Sequence, residues 1–144
     1  MDKLSPPIQE IADLLSLEEV VTSSSPSYLQ LTRTWAAQKN LEPHLVVQPK
    51  DLNSLSRLVA LLGKSELDFA VRSAGFGSAS AKDILVSMSA FGSFEFDRQN
   101  EVITIGAGQT FAEVDAKMGQ FASGMQVQRQ VLLQIFFPNI LISY

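Results

Sequence analysis

Val71-Arg72-Ser73-Ala74-Gly75-Phe76-Gly77-Ser78-Ala79-Ser80-Ala81-Lys82-Asp83-Ile84-Leu85-Val86-Ser87-Met88 is the stretch on which the fold turns. A buried-looking strand ends at Arg72, a run of small residues follows, and a second apolar run begins at Ile84. Small residues let the backbone take positive φ and approach a ligand closely. Successive N–H groups in such a loop form a concave nest that holds an anion, and Arg72 adds a cationic fork at its edge. That chemistry suits a diphosphate. The same stretch also fits a plain connection between two strands.

Upstream, Leu45-Val46-Val47 reads as a strand before Pro49. Asp51 is placed to cap a helix whose apolar residues fall at 52, 55, 58, 59, 61 and 62, with Gly63 at its end. Phe69–Arg72 is the next strand, so the segment is a βαβ unit with parallel strands. A dinucleotide fold of the Rossmann type would open a helix directly from the glycine loop. Here the loop leads into Ile84–Met88, a strand by composition, and no G-x-x-x-x-G-K-[ST] pattern is present.

Downstream, Phe94-Glu95-Phe96-Asp97 and Val102-Ile103-Thr104-Ile105 flank a turn and predict a hairpin. Gly106-Ala107-Gly108 follows, then a T-x-x-E capping pattern at Thr110–Glu113. That pattern predicts a helix with Phe111, Val114 and Met118 on one face, ending near Gly119. Gly106 and Gly108 fit either a close approach to a ligand or a tight strand-to-helix turn. At the other end, Met1–Pro7 reads as a tail and Ile8–Leu17 as a helix. Thr22–Pro26 is a polar break, and Ser27–Gln38 is a second helix with Tyr28, Leu29, Leu31 and Trp35 as core contacts.

Composition narrows the function. The 144 residues carry a net charge of −4 and no basic stripe, against a general nucleic-acid binder. With no cysteine there is no disulfide, thiolate ligand or cysteine nucleophile. His44 is the single histidine, and no G-x-S-x-G elbow accompanies it. It reads as a surface or packing residue. No catalytic residue and no metal site is assigned. The start, MDKLSPPIQE, lacks the apolar core of a signal peptide, so a cytoplasmic location is expected. No stretch reaches the roughly 18 apolar residues of a membrane span.

Taken in order, these pieces resemble the FAD-binding domain of the p-cresol methylhydroxylase/vanillyl-alcohol oxidase superfamily, with the berberine-bridge-like FAD-linked oxidoreductases as the nearest flavour. VRSAGFGSAS is similar to the family's pyrophosphate loop, VITIGAGQTFAEV to its glycine-bearing strand end and helix, and LVVQPKDLNSLSRLVALL to its opening strand and helix. The resemblance covers roughly residues 35–120.

It implies an α+β fold, the N-terminal part of a PCMH-type FAD-binding domain: a βαβ unit, a mostly antiparallel hairpin region and a helix. It implies an organisation into residues 1–34 (N-terminal helical extension), 35–125 (incomplete FAD-binding domain) and 126–144 (divergent apolar tail). It also implies that Arg72, Ser73, Ala74, Gly75, Phe76, Gly77, Ser78, Gly106 and Gly108 contact the cofactor. Many members carry a flavin-linked histidine where this chain has Phe76, so FAD is expected to bind non-covalently.

The implied function is that of an FAD-linked oxidoreductase acting on a small molecule, of which this chain is the FAD-binding portion and is inactive alone. The alternative is a truncated, non-enzymatic remnant or interaction module with weak or no FAD binding. The apolar tail Val131–Tyr144 is interrupted by Pro138 and reads as an aggregation-prone segment or a tail packed on the core.

Overall fold

Pro6 and Pro7 open the first helix, α1 (Pro6–Leu14), rather than closing a tail. At the first turn a proline gives up only an N–H that no helical carbonyl would accept. Ile8 and Ile11 are buried on one side of α1, and the helix stops before Leu17, which is 94% exposed and opens a 3-10 turn, Leu17–Glu19. The computed structural model describes residues 5–73 and 79–121. They fall in two units, Met1–Thr110 and Phe111–Tyr144. The division expected at residue 34 falls inside the first.

Strand β1 (Val20–Thr22) follows the turn and was not expected, because three residues are too few to show a period. Helix α2 (Tyr28–Thr32) is much shorter than the predicted Ser27–Gln38. The Thr32 hydroxyl donates back to the Tyr28 carbonyl at 2.9 Å, and Arg33 is extended (φ −55°, ψ 129°), which ends the helix. Of the expected core contacts, Tyr28 is buried and Leu31 half-buried, but Leu29 and Trp35 are 79% and 82% exposed. Leu29 lies off the stripe that α2 presents to the sheet, and Trp35 lies past the end of the helix.

The first unit is built on a four-stranded sheet of β1, β2 (Leu45–Val47), β3 (Phe69–Arg72) and β4 (Ile84–Ser87), in the order β1-β2-β4-β3. Strand β4 lies between the two strands of the βαβ unit and is parallel to both; β1 is antiparallel to β2. Register sets Val21, Val46, Leu85 and Ala70 in one row across the sheet, and this row packs with Tyr28 and Leu31 of α2. Leu45, Val47, Ile84 and Val86 alternate to the opposite face and are equally buried. Strands covered on both faces read as continuous apolar runs, as β2 and β4 do. Strand β3 is the sheet edge, and Phe69 and Val71 are 45% and 48% exposed, so the expected buried strand is buried mainly at Arg72.

Between β2 and β3 runs α3 (Leu52–Leu62), which buries Leu55, Leu58 and Leu62 and packs with α1. Asp51 caps it, its Oδ1 accepting the Ser54 N–H at 2.8 Å. Strands β5 (Phe94–Asp97) and β6 (Val102–Ile105) form the expected antiparallel hairpin. Its turn is held by Asp97 Oδ1, which accepts N–H bonds from Gln99 and Asn100. In the second unit, α4 (Phe111–Gly119) is helical as expected, but Phe111 is 69% exposed while Val114 is buried. The tail 126–144 lies outside the described residues.

Tyr28 ties α2 to the start of β2: its hydroxyl donates to the carbonyl of buried Pro43 at 2.7 Å. Tyr28→Phe leaves that carbonyl unpaired and is expected to cost about 1–2 kcal/mol, read as a lower urea midpoint at unchanged slope.

Candidate functional site

The parallel strands β2, β4 and β3 end along one sheet edge, at Gln48, Ser87–Ser89 and Arg72–Ser73. Ligands of open α/β sheets bind at such carboxyl ends. Alternation carries the apolar row Val46, Leu85 and Ala70 into a polar row two residues on: Gln48, Ser87 and Arg72. Arg72 stands opposite Ser87 in register. Gln48 Nε2 donates to Ser89 Oγ at 3.1 Å, and Ser87 Oγ to Ser89 Oγ at 3.1 Å. Gln48, Ser87 and Ser89 were not singled out from the sequence. For Gln48 and Ser87 the signal was a polar residue two places after the last inward apolar one.

Arg72 is the centre of this edge and is only 6% exposed. Its Nη1 donates to the carbonyls of Leu31 at 2.5 Å and Arg33 at 3.1 Å, and Nη2 to that of Ala79 at 2.5 Å. Nε is buried without a hydrogen-bond partner. Burial lowers its pKa, but a guanidinium keeps its charge. Among the described residues no carboxylate pairs with it. A buried cation that meets only neutral carbonyls is costly.

Ser73 follows directly, and its hydroxyl donates to the Ala107 carbonyl, tying the entry of the small-residue loop to the turn after β6. Ala74, Gly75, Phe76, Gly77 and Ser78 lie outside the described residues. Gly106 and Gly108 sit against the 88–93 segment. The Gly106 N–H donates to Ser93 O at 2.8 Å and the Gly108 N–H to Phe91 O at 2.9 Å. A Cβ at Gly106 would lie 2.1 Å from Phe91 O, and one at Gly108 2.3 Å from Met88 O. The close approach that these glycines permit is therefore to protein main chain.

Other features lie elsewhere. A shallow groove between α1 and α3, lined by Glu10, Leu14, Arg57, Ala60, Leu61 and Lys64, is on helices and away from the strand ends. His44 is exposed, and among the described residues no cluster of His, Asp or Glu has the makings of a metal site. No helix among them is long and apolar enough to cross a membrane.

An α+β domain with a charged, hydroxyl-lined edge at its parallel strand ends is of the nucleotide-binding kind. The family described as an FAD binding domain matches residues 43–130, and the chain belongs to that family. It is 27% identical over 108 residues to the FAD-dependent monooxygenase macF of Penicillium terrestre, covering 70% of this chain and 21% of that one. It is 25% identical over 114 residues to an FAD-linked oxidoreductase of Dictyostelium discoideum, covering 76% and 25%.

Among solved structures, the wild-type BBE-like 1 of Physcomitrella patens superposes with a TM-score of 0.68 at 14% identity, over 81% of this chain and 26% of that one. p-Cresol methylhydroxylase with substrate bound gives 0.64 at 14%, over 80% and 24%. The fold is that of a PCMH-type FAD-binding domain. The chain spans between a fifth and a quarter of the length of the curated relatives described.

The residues present fit the cofactor. The uncompensated Arg72 guanidinium with its orphaned Nε, and the Ser89 hydroxyl, which accepts from Gln48 and Ser87 and keeps its own proton to donate, are of the kind a diphosphate takes.

Proposed function

We propose that this chain holds FAD at the carboxyl edge of its parallel strands, with the diphosphate over the 72–78 loop, as the cofactor-binding portion of an oxidoreductase. The observation that carries this reading is Arg72 at the end of β3, a buried cation with an unpartnered Nε and, among the described residues, no carboxylate partner. Ser73 contributes by tying the end of β3 to the Gly106–Gly108 turn. The glycines at 106 and 108 hold that turn against residues 88–93. Bound FAD would supply the redox chemistry, accepting a hydride from a small-molecule substrate; this chain's residues bind and orient it. The substrate-side groups of the whole enzyme belong to regions beyond this match.

Attachment is non-covalent. Phe76 offers no nucleophilic atom at the position where the family resemblance implies a flavin-linked histidine in many members, and the chain has no cysteine. Purified protein reconstituted with FAD is expected to show a flavin absorbance band, and acid precipitation is expected to release all of it to the supernatant. Flavin that stays with the precipitate contradicts non-covalent binding; absence of any bound flavin contradicts the proposal itself.

A further inference from the structure

We infer that residues 28–41 form a clamp on the cofactor loop, with Arg72 as its pin, and that the affinity for FAD depends on this clamp. The inference rests on the FAD reading above. The return limb of the loop is fixed from the N-terminal side at two points: Arg72 Nη2 donates to Ala79 O at 2.5 Å, and Leu41 N–H donates to Ser80 Oγ at 3.0 Å. Arg72 is itself held by the carbonyls of Leu31 and Arg33, just past α2. Those carbonyls are placed by the Thr32–Tyr28 back-bond at 2.9 Å and by the Tyr28–Pro43 bond at 2.7 Å. All these anchors on the N-terminal side, up to Leu41, precede residue 43, where the family match begins.

The chemistry of the pin is specific. Carbonyls on two different segments require a planar fork with donors in fixed directions, which arginine has and lysine lacks. Both Nη groups of Arg72 are committed to these carbonyls, so much of its side chain works by holding residue 79 to the 31–33 segment. A loop already held at its return limb loses less conformational freedom when a ligand orders it, and this raises affinity without a new ligand contact. Arg72 is in this respect a positioning residue.

The test compares wild type with Arg72→Lys, Thr32→Val and Ser80→Ala. Three readouts are taken: FAD affinity by quenching of flavin fluorescence, stability by urea, and hydrogen exchange of the peptide 79–83 in FAD-free protein. Arg72→Lys keeps the charge but is expected to bind FAD roughly tenfold more weakly or worse. Thr32→Val and Ser80→Ala are expected to weaken it about threefold. In all three, exchange at 79–83 rises while unfolding stays cooperative.

The inference is overturned if Arg72→Lys retains wild-type affinity, which would assign Arg72 to charge alone. It is equally overturned if the folded variants show unchanged exchange at 79–83. Should Arg72→Lys not fold, the other two variants decide by the same criteria. Wild type that binds no FAD, with exchange at 79–83 still responding to the variants, would sink the FAD reading and leave the clamp.

Discussion

Gly106→Ala is expected to destabilise the first unit by about 3 kcal/mol or more, the upper end of what overpacking costs. The added methyl would lie 2.1 Å from Phe91 O, 2.8 Å from Phe91 C and 2.9 Å from Ser93 N. These are main-chain atoms, so no side chain can rotate away. The Gly106 N–H is bonded to Ser93 O at 2.8 Å, and any shift that relieves the clash stretches that bond. Gly108→Ala meets Met88 O at 2.3 Å and is expected to behave alike. Gly92→Ala is the control: nothing lies within 4 Å of its Cβ, and its stability is expected to stay within about 0.5 kcal/mol of wild type. Urea denaturation of the three variants reads the difference. A Gly106→Ala protein as stable as Gly92→Ala would mean that residues 88–93 and 106–108 do not pack as described.

Glu19→Gln is expected to cost roughly 1–2 kcal/mol at neutral pH and to flatten the acid limb of the stability curve. Glu19 is 5% exposed in the turn before β1. Burial alone would raise its pKa. The Lys50 main-chain N–H at 2.9 Å, with the Ser16 hydroxyl at 2.8 Å and the Ser16 N–H at 3.1 Å, outweighs burial and holds the carboxyl at about 2, from an ordinary 4.5. A carboxyl whose pKa is lower in the folded state stabilises the fold above its unfolded pKa. That contribution is complete above about pH 5 and is lost as pH falls from there through about 2. In wild type, stability should therefore decline across this window. In Glu19→Gln the decline should be shallower, from a lower plateau. Urea midpoints from pH 2.5 to 7 check both. Parallel curves for the two proteins would remove Glu19 as the joint between the α1–β1 turn and the β2–α3 turn.

Why these particular features escaped or yielded to sequence reading has physical causes. Leu45–Val47 and Ile84–Ser87 were readable because both faces of each strand are buried, which forces a continuous apolar run. Asp51 and the stripe of α3 were readable because capping and helical period are local. The hairpin was readable from its alternation around Asp97–Asn100. The place of β4 between β2 and β3 was not, since sequence order carries no lateral order. Trp35 was misplaced because the Thr32 back-bond ends α2 before it.

The site was legible in kind and less so in geometry. Arg72 was picked out as a cation beside a small-residue loop, and the structure buries it at the strand ends beside Ser73. That both its Nη groups meet carbonyls of residues 31, 33 and 79 depends on a segment some 40 residues away crossing over the strand end. No local pattern reports such a contact. Gly106 and Gly108 were legible as positions of close approach, but the partner, main chain of residues 88–93, is again tertiary.

The central claim is that the strand-end edge takes the diphosphate of FAD. Calorimetric titration of the 144-residue chain with FAD, followed by displacement of bound FAD with ADP and, separately, with adenosine, tests it most directly, because those two competitors differ only in the diphosphate. The account predicts saturable one-to-one binding of FAD, with adenosine a weaker competitor than ADP by roughly tenfold to hundredfold, the share of charged hydrogen bonds. Equal competition by the two, or no heat of binding with FAD, would contradict it.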